Sequence, residues 1–542
     1  MPANPSDSEP GARPAAVRTA PPGGGRLDGA SRARLSAVVA VVVLVTEVAP
    51  LQYTLVATAT ERIGHSFPTV GADLSWMIII IGLVGGATTP ILGKLADIHG
   101  KKLLLLGCTV LFLAGSVLCA LTSSWALFLT GRALQATSFA ITAIAASLLR
   151  DILPRRHVTV AVGVLATGIG VSALASPFLA GALSDTWGWR SMFWFLVVYT
   201  AALVPLLWAV VPESTVRVRQ RLDLIGSVLL GAGAALILLY VSEGEDWGWS
   251  RPSAWAYLVA GLVLLAAFPA WERRTSHPII DPALLRAPKV SIVLAIGLLA
   301  NVMIGIQSYA IAYMAQTDAD AVDGGVLAGL AADLGVPIDN IAPSVVFHGD
   351  IGYALGFGLT ALAVHLMTWQ TIPSMLAGPA AGAVAKRTGL RLPLLVSLVA
   401  MAASMLLYGF FHDSWQMLLP VGVLFGLAFG LYYGCDNNLV IEAVPEEQQG
   451  VAAGMLTLAE SFGAALGTAV LTAILAAHPY RATMTTEGGA QTFDIPQVYT
   501  DSGWTTGFFV AGAVGSICVV LAVVMKSGRT PATGGQSGAT AT

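Results

Sequence analysis

Charged residues are scarce in this chain, and their scarcity excludes most classes of soluble protein. Asp, Glu, Lys and Arg make up 11% of the 542 residues, whereas hydrophobic residues make up 56%. An ordinary soluble domain carries about 25% charged residues, so a soluble fold of this length could not cover its surface. The composition excludes a soluble enzyme, a disordered chain and a coiled coil, and the net charge of −3 gives no indication of a nucleic-acid partner.

Cysteine is scarce too, and the sequence patterns of several chemistries are missing. The nearest approach to a P-loop is Gly93-Lys94, but Thr88 stands where its first glycine belongs. No metal-ligand spacing of His and Glu and no nucleophile elbow occurs. We therefore predict no catalytic residues, no metal and no cofactor, and a protein that is not an enzyme. The four cysteines lie in apolar runs, where we interpret them as buried thiols: Cys108, Cys119, Cys435 and Cys518.

Long apolar runs are abundant instead, and they predict an all-α integral membrane protein. A bilayer core about 30 Å thick needs roughly 20 apolar residues per helix. Fourteen runs meet this length, although the eighth is short: 35–60, 73–93, 102–121, 126–148, 158–183, 191–211, 223–242, 255–271, 290–314, 358–384, 392–411, 416–441, 451–477 and 504–525.

The basic residues predict the orientation of these spans. With both termini on one side, that side holds 23 of the 28 Lys and Arg, the other side holds four, and Arg132 lies inside a span. Cytoplasmic loops carry the excess of basic residues, so both termini are predicted to be cytoplasmic. Residues 1–34 are polar and rich in Pro, Gly and Arg, which predicts a disordered tail, and 526–542 form a second cytoplasmic tail.

Two long loops are predicted on the extracellular side, at 315–357 and 478–503. The first contains six Asp and neither Lys nor Arg. It is interpreted as a solvated acidic loop. The helical spacing of four of its apolar residues favours the alternative of a short amphipathic helix over the cavity mouth: Val326, Leu327, Leu330 and Leu334.

The turn after the second span carries the most specific motif. It reads GKLADIHGKK from Gly93 to Lys102, with Asp97, Gly100 and Lys101 at its centre. A degenerate copy, GAVAKRTG, begins 289 residues later at Gly382 and has Lys386 at the position of Asp97. Two copies so far apart indicate two homologous halves.

These motifs resemble those of the major facilitator superfamily. Arg132-Ala-Leu-Gln-Ala is similar to the Arg-x-x-Gln-Gly motif of helix 4. The segment Ser-Pro177-Phe-Leu-Ala-Gly181 is similar to the Gly-Pro-x-x-Gly-Gly motif of the antiporter branch. With fourteen spans, the chain resembles the 14-helix drug:proton antiporter family. That resemblance implies a major-facilitator fold with two six-helix bundles plus an inserted helix pair.

The domains follow from this arrangement. We expect an N-terminal bundle at 35–211, the inserted pair 7–8 with its linkers at 212–289, and a C-terminal bundle at 290–525 that includes the loop 315–357. The substrate cavity is expected between the two bundles at mid-membrane. Gly93, Asp97, Gly100, Lys101, Pro177 and Gly181 are the expected conformational motif residues.

The first helix departs from the family, which places an Asp two residues before a Thr. Gln52 stands there, before Tyr53 and Thr54, and the acid is Glu47. A charge in the bilayer costs at least about 2.5–3.5 kcal/mol, so each one needs a reason. Removal from water favours the protonated form of Glu47, which makes proton binding near neutral pH feasible. Alternatively, Glu47 is locked to Arg132, which must itself find a partner, either Glu47 or carbonyls of helix 1.

Two further acids lie in the C-terminal bundle. Asp436 follows an aromatic stripe on one helical face, which suits a lipophilic cation, although such stripes are more often ordinary packing. Glu460 is a second candidate proton site or the partner of a donor at a helix end. The predicted proton-coupling residues are Glu47, Arg132, Asp436 and Glu460. The predicted substrate contacts are Gln52, Tyr53, Thr54, Asn301, Gln307, Phe425, Phe429, Tyr432 and Asn437.

Together these features predict a proton-coupled secondary transporter that exports amphipathic small molecules, cations among them, by alternating access. Its partners are a small-molecule substrate, protons and the lipid bilayer, and we expect a monomer in the bacterial inner membrane. One alternative is an exporter of a lipid or of an endogenous metabolite or antibiotic. Another is a non-transporting membrane sensor or enzyme, which would lack a catalytic constellation here.

Overall fold

All fourteen predicted spans coincide with helices in the computed structural model, which describes residues 27–215, 217, 223–275, 286–444, 449–486 and 489–529. The parts of the predicted tails at 1–26 and 530–542 lie outside the described residues. We number the helices α1–α14 in the order of the spans. Those of the first half and the inserted pair are α1 (Arg32–Thr46 and Val48–Thr58), α2 (Trp76–His99), α3 (Lys101–Leu121), α4 (Trp125–Gln135 and Ser138–Ile152), α5 (Arg155–Trp187), α6 (Arg190–Val210), α7 (Leu224–Trp247) and α8 (Pro252–Glu272).

The second half repeats the pattern after a gap in the described residues. Within the described part of the chain, eleven helices are long and apolar enough to cross a bilayer, or up to thirteen if two bent pairs each count as one span. The helices of this half are α9 (Pro288–Gln316), α10 (Leu359–Leu362, a π-helical turn Ala363–Met367 and Thr368–Thr388), α11 (Arg391–Phe410), α12 (Trp415–Tyr433 and Asp436–Glu442), α13 (Gln449–Ala476) and α14 (Asp501–Val524).

Three of the broken helices are interrupted beside the polar residues that the sequence singled out. α1 breaks at Glu47, three residues before Pro50, which has no N–H to donate to the carbonyl of Thr46. α4 breaks after Gln135, and α12 breaks immediately before Asp436. Each break releases backbone polar groups from the helix at membrane depth, where they need protein or a wet cavity around them.

The two halves meet mainly where α2 faces α13 and where α5 faces α10. Glycine allows the first contact, because a Cβ on Gly82 of α2 would lie 2.9 Å from the carbonyl oxygen of Ser461 on α13. The second is equally tight: a Cβ on Gly181 of α5 would lie 2.7 Å from the backbone nitrogen of Thr360. α7 packs against both α2 and α13, and α8 packs on α7.

The extracellular loops are folded. Ala319–Leu334 forms a helix, with Asp318 accepting from the N–H of Ala321 as its N-cap and Gly335 in the left-handed region as its C-cap. Val326, Leu327 and Leu330 are partly buried against the core, whereas Leu334 is exposed. The helix of the alternative interpretation is present, while its opposite face, with Asp320 and Asp333, is exposed to solvent as the acidic-loop interpretation expects.

A three-stranded antiparallel sheet joins the two loops: β1 (Val345–His348), β2 (Pro479–Thr486) and β3 (Gly489–Tyr499), in the order β1-β2-β3. Val345 pairs with Met484, and Ala482 pairs with Phe493. The sequence analysis missed these strands. A pattern was available, since Gly488-Gly489 between polar–apolar alternations is a hairpin signal.

Candidate functional site

Glu47 lies at the break of α1 and faces α5. Ser172 of α5 donates its hydroxyl to Glu47 Oε2, and the side chain is 5% exposed. Gly168, one turn earlier on α5, leaves the room that the other carboxylate oxygen occupies, since a Cβ there would collide with Oε1. This hydroxyl satisfies only one of the two carboxylate oxygens.

Arg132 is fully buried and belongs to a different network. Its Nε donates to the carbonyl oxygen of Met77 at 2.9 Å, and its Nη1 donates to Gln52 Oε1 at 2.8 Å and to Gln135 Oε1 at 2.7 Å. Gln135 in turn donates to Ser116 at 2.8 Å. The expectation that Arg132 pairs with Glu47 or with helix-1 carbonyls was wrong: its α1 partner is the side chain of Gln52, and the carbonyl belongs to α2.

Tyr53 and Thr54 follow Gln52 on α1 and are both partly exposed. Tyr53 lies within electrostatic range of Arg132 and of Tyr433 in the second half. These two α1 residues therefore stay candidate substrate contacts, whereas Gln52 is 1% exposed and is occupied by Arg132.

In the second half, Asp436 and Glu460 are brought together. They lie on α12 and α13, 24 positions apart, and their carboxyl groups lie within hydrogen-bonding range of each other. A carboxylate has no donor, so two charged carboxylates at this range repel each other. Asp436 is 2% exposed, and Tyr432 and Tyr433 are within electrostatic range of both acids.

Aromatic side chains and one amide surround this acid pair. The Phe429 ring packs in tilted contact between those of Phe425 and Tyr433, with ring centroids 6.2 Å and 4.7 Å away. Asn301 of α9 accepts from the Tyr433 hydroxyl at 3.1 Å and reaches the Tyr432 hydroxyl at 3.5 Å. Phe425 and Tyr432 are fully buried, whereas Phe429 and Tyr433 are partly exposed.

Two predicted substrate contacts remain, Gln307 and Asn437. Gln307 of α9 donates to Gln370 of α10 at 2.9 Å, so this predicted substrate contact makes a polar tie between two helices. The side chain of Asn437 lies outside the described residues. The sequence analysis left Tyr433, Gln370 and Ser172 off the list of candidates, although each is a polar group within an apolar run, and that is a usable signal.

The conformational motif has a local ion-pair network. Gly93 is partly exposed on α2, and Gly100 ends α2 with φ 136°, which glycine adopts freely. Lys101 bridges Asp97 at 3.4 Å and Asp151 at 2.6 Å. Gly389 ends α10 with φ 82° at the corresponding position of the second copy. On α5, Pro177 lies inside the helix and Gly181 touches Thr360.

The halves are in contact at the end of their interface that the sequence predicts to be extracellular. Gln316 of α9 donates to the carbonyl oxygen of Thr58 at 2.5 Å, and Thr360 donates to Asp185 at 2.8 Å. Gln497 of β3 donates to the carbonyl oxygens of Gly64 and Phe67 at 3.2 and 2.9 Å. The candidate site therefore lies below a closed extracellular gate.

Two bundles of membrane helices with polar groups and a gate between them define a multi-pass membrane transporter. Residues 42–348 and 338–541 match the sequence model of the Major Facilitator Superfamily. The chain belongs to this superfamily, and it is a transporter rather than an enzyme.

Several characterised or named relatives are similar over most of the chain. The multidrug resistance protein Stp of Mycobacterium tuberculosis is 28% identical over 78% of this chain and 72% of its own length. The probable actinorhodin transporter of Streptomyces coelicolor is 26% identical over 74% of this chain and 67% of its own length. Over a shorter stretch, the uncharacterized MFS-type transporter YvkA of Bacillus subtilis is 30% identical across 47% of this chain and 56% of its own length.

Solved structures agree on the fold. A POT family transporter in complex with 5-aminolevulinic acid has a TM-score of 0.58 at 12% identity, covering 90% of this chain and 95% of its own. The nucleoside transporter NupG has a TM-score of 0.55 at 12% identity, covering 91% of this chain and 99% of its own. At these identities the likeness concerns the fold alone.

Proposed function

We propose that the chain is a proton-coupled exporter of amphipathic small molecules, with lipophilic cations as its preferred substrates, in a bacterial plasma membrane. The observation that carries the proposal is the proximity of two carboxyl groups, the buried Asp436 and the partly exposed Glu460, beside the aromatic residues of α12. Relatives named for multidrug resistance and for actinorhodin transport support the export of such compounds.

The acid pair supplies the competition that antiport requires. Two carboxylates about 4 Å apart repel by roughly 4 kcal/mol at an effective dielectric constant near 20, so the empty pair cannot stay doubly charged. Either a proton or a cation relieves the repulsion. A cation that enters from the cytoplasm releases the proton, and a proton that enters from outside releases the cation.

The aromatic residues select the substrate class. Phe429 and Tyr433 present partly exposed rings next to the acids, and a cation over such a ring gains about 0.5–2 kcal/mol. The apolar faces accept the hydrocarbon part of an amphipathic molecule. Glu47 on the opposite half is the second proton-binding group, because its carboxyl is buried with one hydroxyl partner.

Asp436→Asn tests the proposal in proteoliposomes with an imposed pH gradient. Uptake of ethidium into inverted vesicles is compared with that of a neutral dye of similar size, and Asp413→Asn in an exposed loop is the matched control. We expect cation transport to fall at least tenfold, about 1.4 kcal/mol, while the neutral dye is little affected.

The outcomes separate the possible roles of Asp436. Equal losses for both dyes would assign it to proton transfer alone, and no loss for either would reject the site. Substrate-driven proton release that persists in Glu460→Gln would reject the proton-sharing pair.

Export of an endogenous metabolite or antibiotic is the second candidate. The resemblance to the actinorhodin transporter, which spans about three quarters of the chain, favours it. A panel of acidic and neutral aromatic natural products in the same vesicles distinguishes it from drug export, because those compounds gain nothing from the carboxyl pair.

A further inference from the structure

The inserted pair α7–α8 is bound to α2 along the length of that helix. At the extracellular end, Trp76 Nε1 donates to Glu243 Oε1 of α7 at 3.0 Å. Further along the two helices, a Cβ on Gly231 of α7 would lie 2.9 Å from the Cβ of Ala87. Such proximity of backbones leaves no space for lipid between α7 and α2 and gives strong dispersion contacts.

At the cytoplasmic end, α7 and α8 approach the last turns of α2, which contain the start of the GKLADIHGKK motif. Asp223 and Glu272 flank the base of α7 and α8, and a Cβ on Gly226 would lie 2.6 Å from a carboxylate oxygen of each. Both acids are buried, at 7% and 2% exposure, and Lys94 of α2 lies within electrostatic range of both. Two buried carboxylates need a cation nearby, and Lys94 supplies it.

The contact of α7 with α13 is apolar, unlike the polar contacts of α7 and α8 with α2. Leu238 of α7 packs into a small apolar cluster with Ala465 and Ala469 of α13 and with Ile79 and Leu83 of α2. Apolar contacts with alanine are non-directional, so a shift along the helix axis replaces one contact by a similar one. The directional hydrogen bond from Trp76 to Glu243 and the proximity of Lys94 to Asp223 and Glu272 would be lost in such a shift.

We propose that α7 and α8 move with the N-terminal half as one body during alternating access and slide along α13, and that Lys94 is the positioning residue that holds them. In this role the pair keeps the seam between α2 and α13 covered toward the lipid while the halves rock. The inference rests on the transport cycle of the proposed function, and its test therefore includes a readout that needs no substrate.

Two cysteine pairs test which half the inserted pair follows, in a background without the four natural cysteines. Ala87→Cys with Gly231→Cys joins α2 to α7, and Leu238→Cys with Ala469→Cys joins α7 to α13. After copper-phenanthroline oxidation, the first disulfide should leave ethidium export intact. The second should reduce it by roughly tenfold or more until a reductant is added, because the halves can no longer rock.

Every other pattern overturns the proposal. If only the 87–231 disulfide abolishes export, α7 and α8 move with the C-terminal half. If both disulfides abolish export, α7 and α8 bridge the two halves. If neither disulfide abolishes export, α7 and α8 move with neither half. If the unmodified protein does not export ethidium, the proposed function fails, and the inference is judged by disulfide yields without substrate.

The yields are measured with and without Gly181→Leu, which forces the halves apart at Thr360. The proposal requires an unchanged yield at 87–231 and a reduced yield at 238–469. Lys94→Glu should reduce the 87–231 yield, whereas Lys94→Arg should retain it. Lys386→Glu, at an exposed position in the second copy of the motif, is the matched control. Equal yields in all variants would reject the role of Lys94.

Discussion

Glu47 and Gln52 are five residues apart on α1, yet they belong to separate networks. Gln52 carries no charge, but its amide oxygen accepts a hydrogen bond from Arg132. The Arg132 guanidinium is therefore solvated by two glutamine side chains and one backbone carbonyl. Glu47 faces α5 and meets only a serine hydroxyl among its described partners. The first-half acid therefore does not pair with the first-half base, as the proposed proton exchange at Glu47 requires.

Replacing Glu47 by Gln should abolish proton-coupled transport while the fold persists. The amide oxygen can still accept from Ser172, so we expect the free energy of unfolding to change by less than about 1 kcal/mol. Substrate-induced proton release from detergent-solubilised protein is the measurement, with Ser172→Ala as the control for the hydrogen bond. Normal release in Glu47→Gln would transfer the role to Asp436 and Glu460.

His412, between α11 and α12, gives the protein a stability that depends on extracellular pH. Its Nε2 lies 2.7 Å from Asp501 Oδ1 and its Nδ1 lies 2.7 Å from the carbonyl oxygen of Tyr408. Burial lowers the pKa of this imidazole, but the hydrogen bond and charge of Asp501, the Tyr408 carbonyl and the charge of Asp413 outweigh it, so the pKa is raised above 6.5. Two acceptors at the two ring nitrogens hold the imidazolium form.

The sign of the effect follows from the raised pKa. The stabilisation is fully present below the unfolded-state pKa near 6.5 and is lost as pH rises through the higher folded-state pKa. The melting temperature of the purified protein should therefore fall as the pH rises above about 6.5, and His412→Gln should flatten that dependence. A slope that is identical in His412→Gln would show that other groups control it.

At the scale of elements, the hairpin β2–β3 acts as part of the extracellular gate. Gln497 has φ 62°, which is unusual for a residue with a side chain and directs its amide into the opposite half. The receiving loop is packed in place, because the Phe67 ring contacts the rings of Trp125 and Trp189 in an aromatic cluster. Both hydrogens of the amide are used, one on the carbonyl of Gly64 and one on that of Phe67.

Gln497→Glu should open this gate. The carboxylate cannot donate and repels both carbonyl oxygens, so the equilibrium should shift toward the outward-open form by roughly thirtyfold, given two hydrogen bonds of about 1 kcal/mol each. Spin labels on Ser123→Cys and Asp413→Cys, two exposed extracellular positions, report the separation of the halves. Gln491→Glu on the same strand adds the same charge without the bridge, and a similar shift in that variant would contradict the role of Gln497.

The elements also show what sequence patterns can and cannot predict. A membrane helix is predictable because the bilayer imposes one length and one polarity on every span, and all fourteen spans are helical. The extracellular strands were missed because water imposes no such constraint, and their pairing joins β1 to β2 over more than 130 residues. The breaks in α4 and α12 were not predicted either, since neither contains a proline at the break.

The whole molecule should carry both termini in the cytoplasm. Among 28 basic residues only four fall on the opposite side, and this asymmetry determines the orientation in which loops are translocated. Alkaline phosphatase needs disulfides that form outside the cytoplasm. Fused after residue 335 it should therefore be active, and fused after residue 526 it should be inactive. Activity at 526 would mean an odd number of crossings.

By itself, the sequence determined the membrane class, the span positions and the superfamily, because each depends on local composition or on short motifs such as GKLADIHGKK. Only the tertiary structure decided which polar residues become partners. Asp436 lies next to Glu460, Arg132 donates to Gln52, and Glu47 accepts from Ser172. Each partnership joins different helices, and its geometry depends on helix rotation and on backbone breaks at Glu47 and before Asp436. Helical periodicity assigns a residue to a face, but the opposing face is set by packing across the whole bundle.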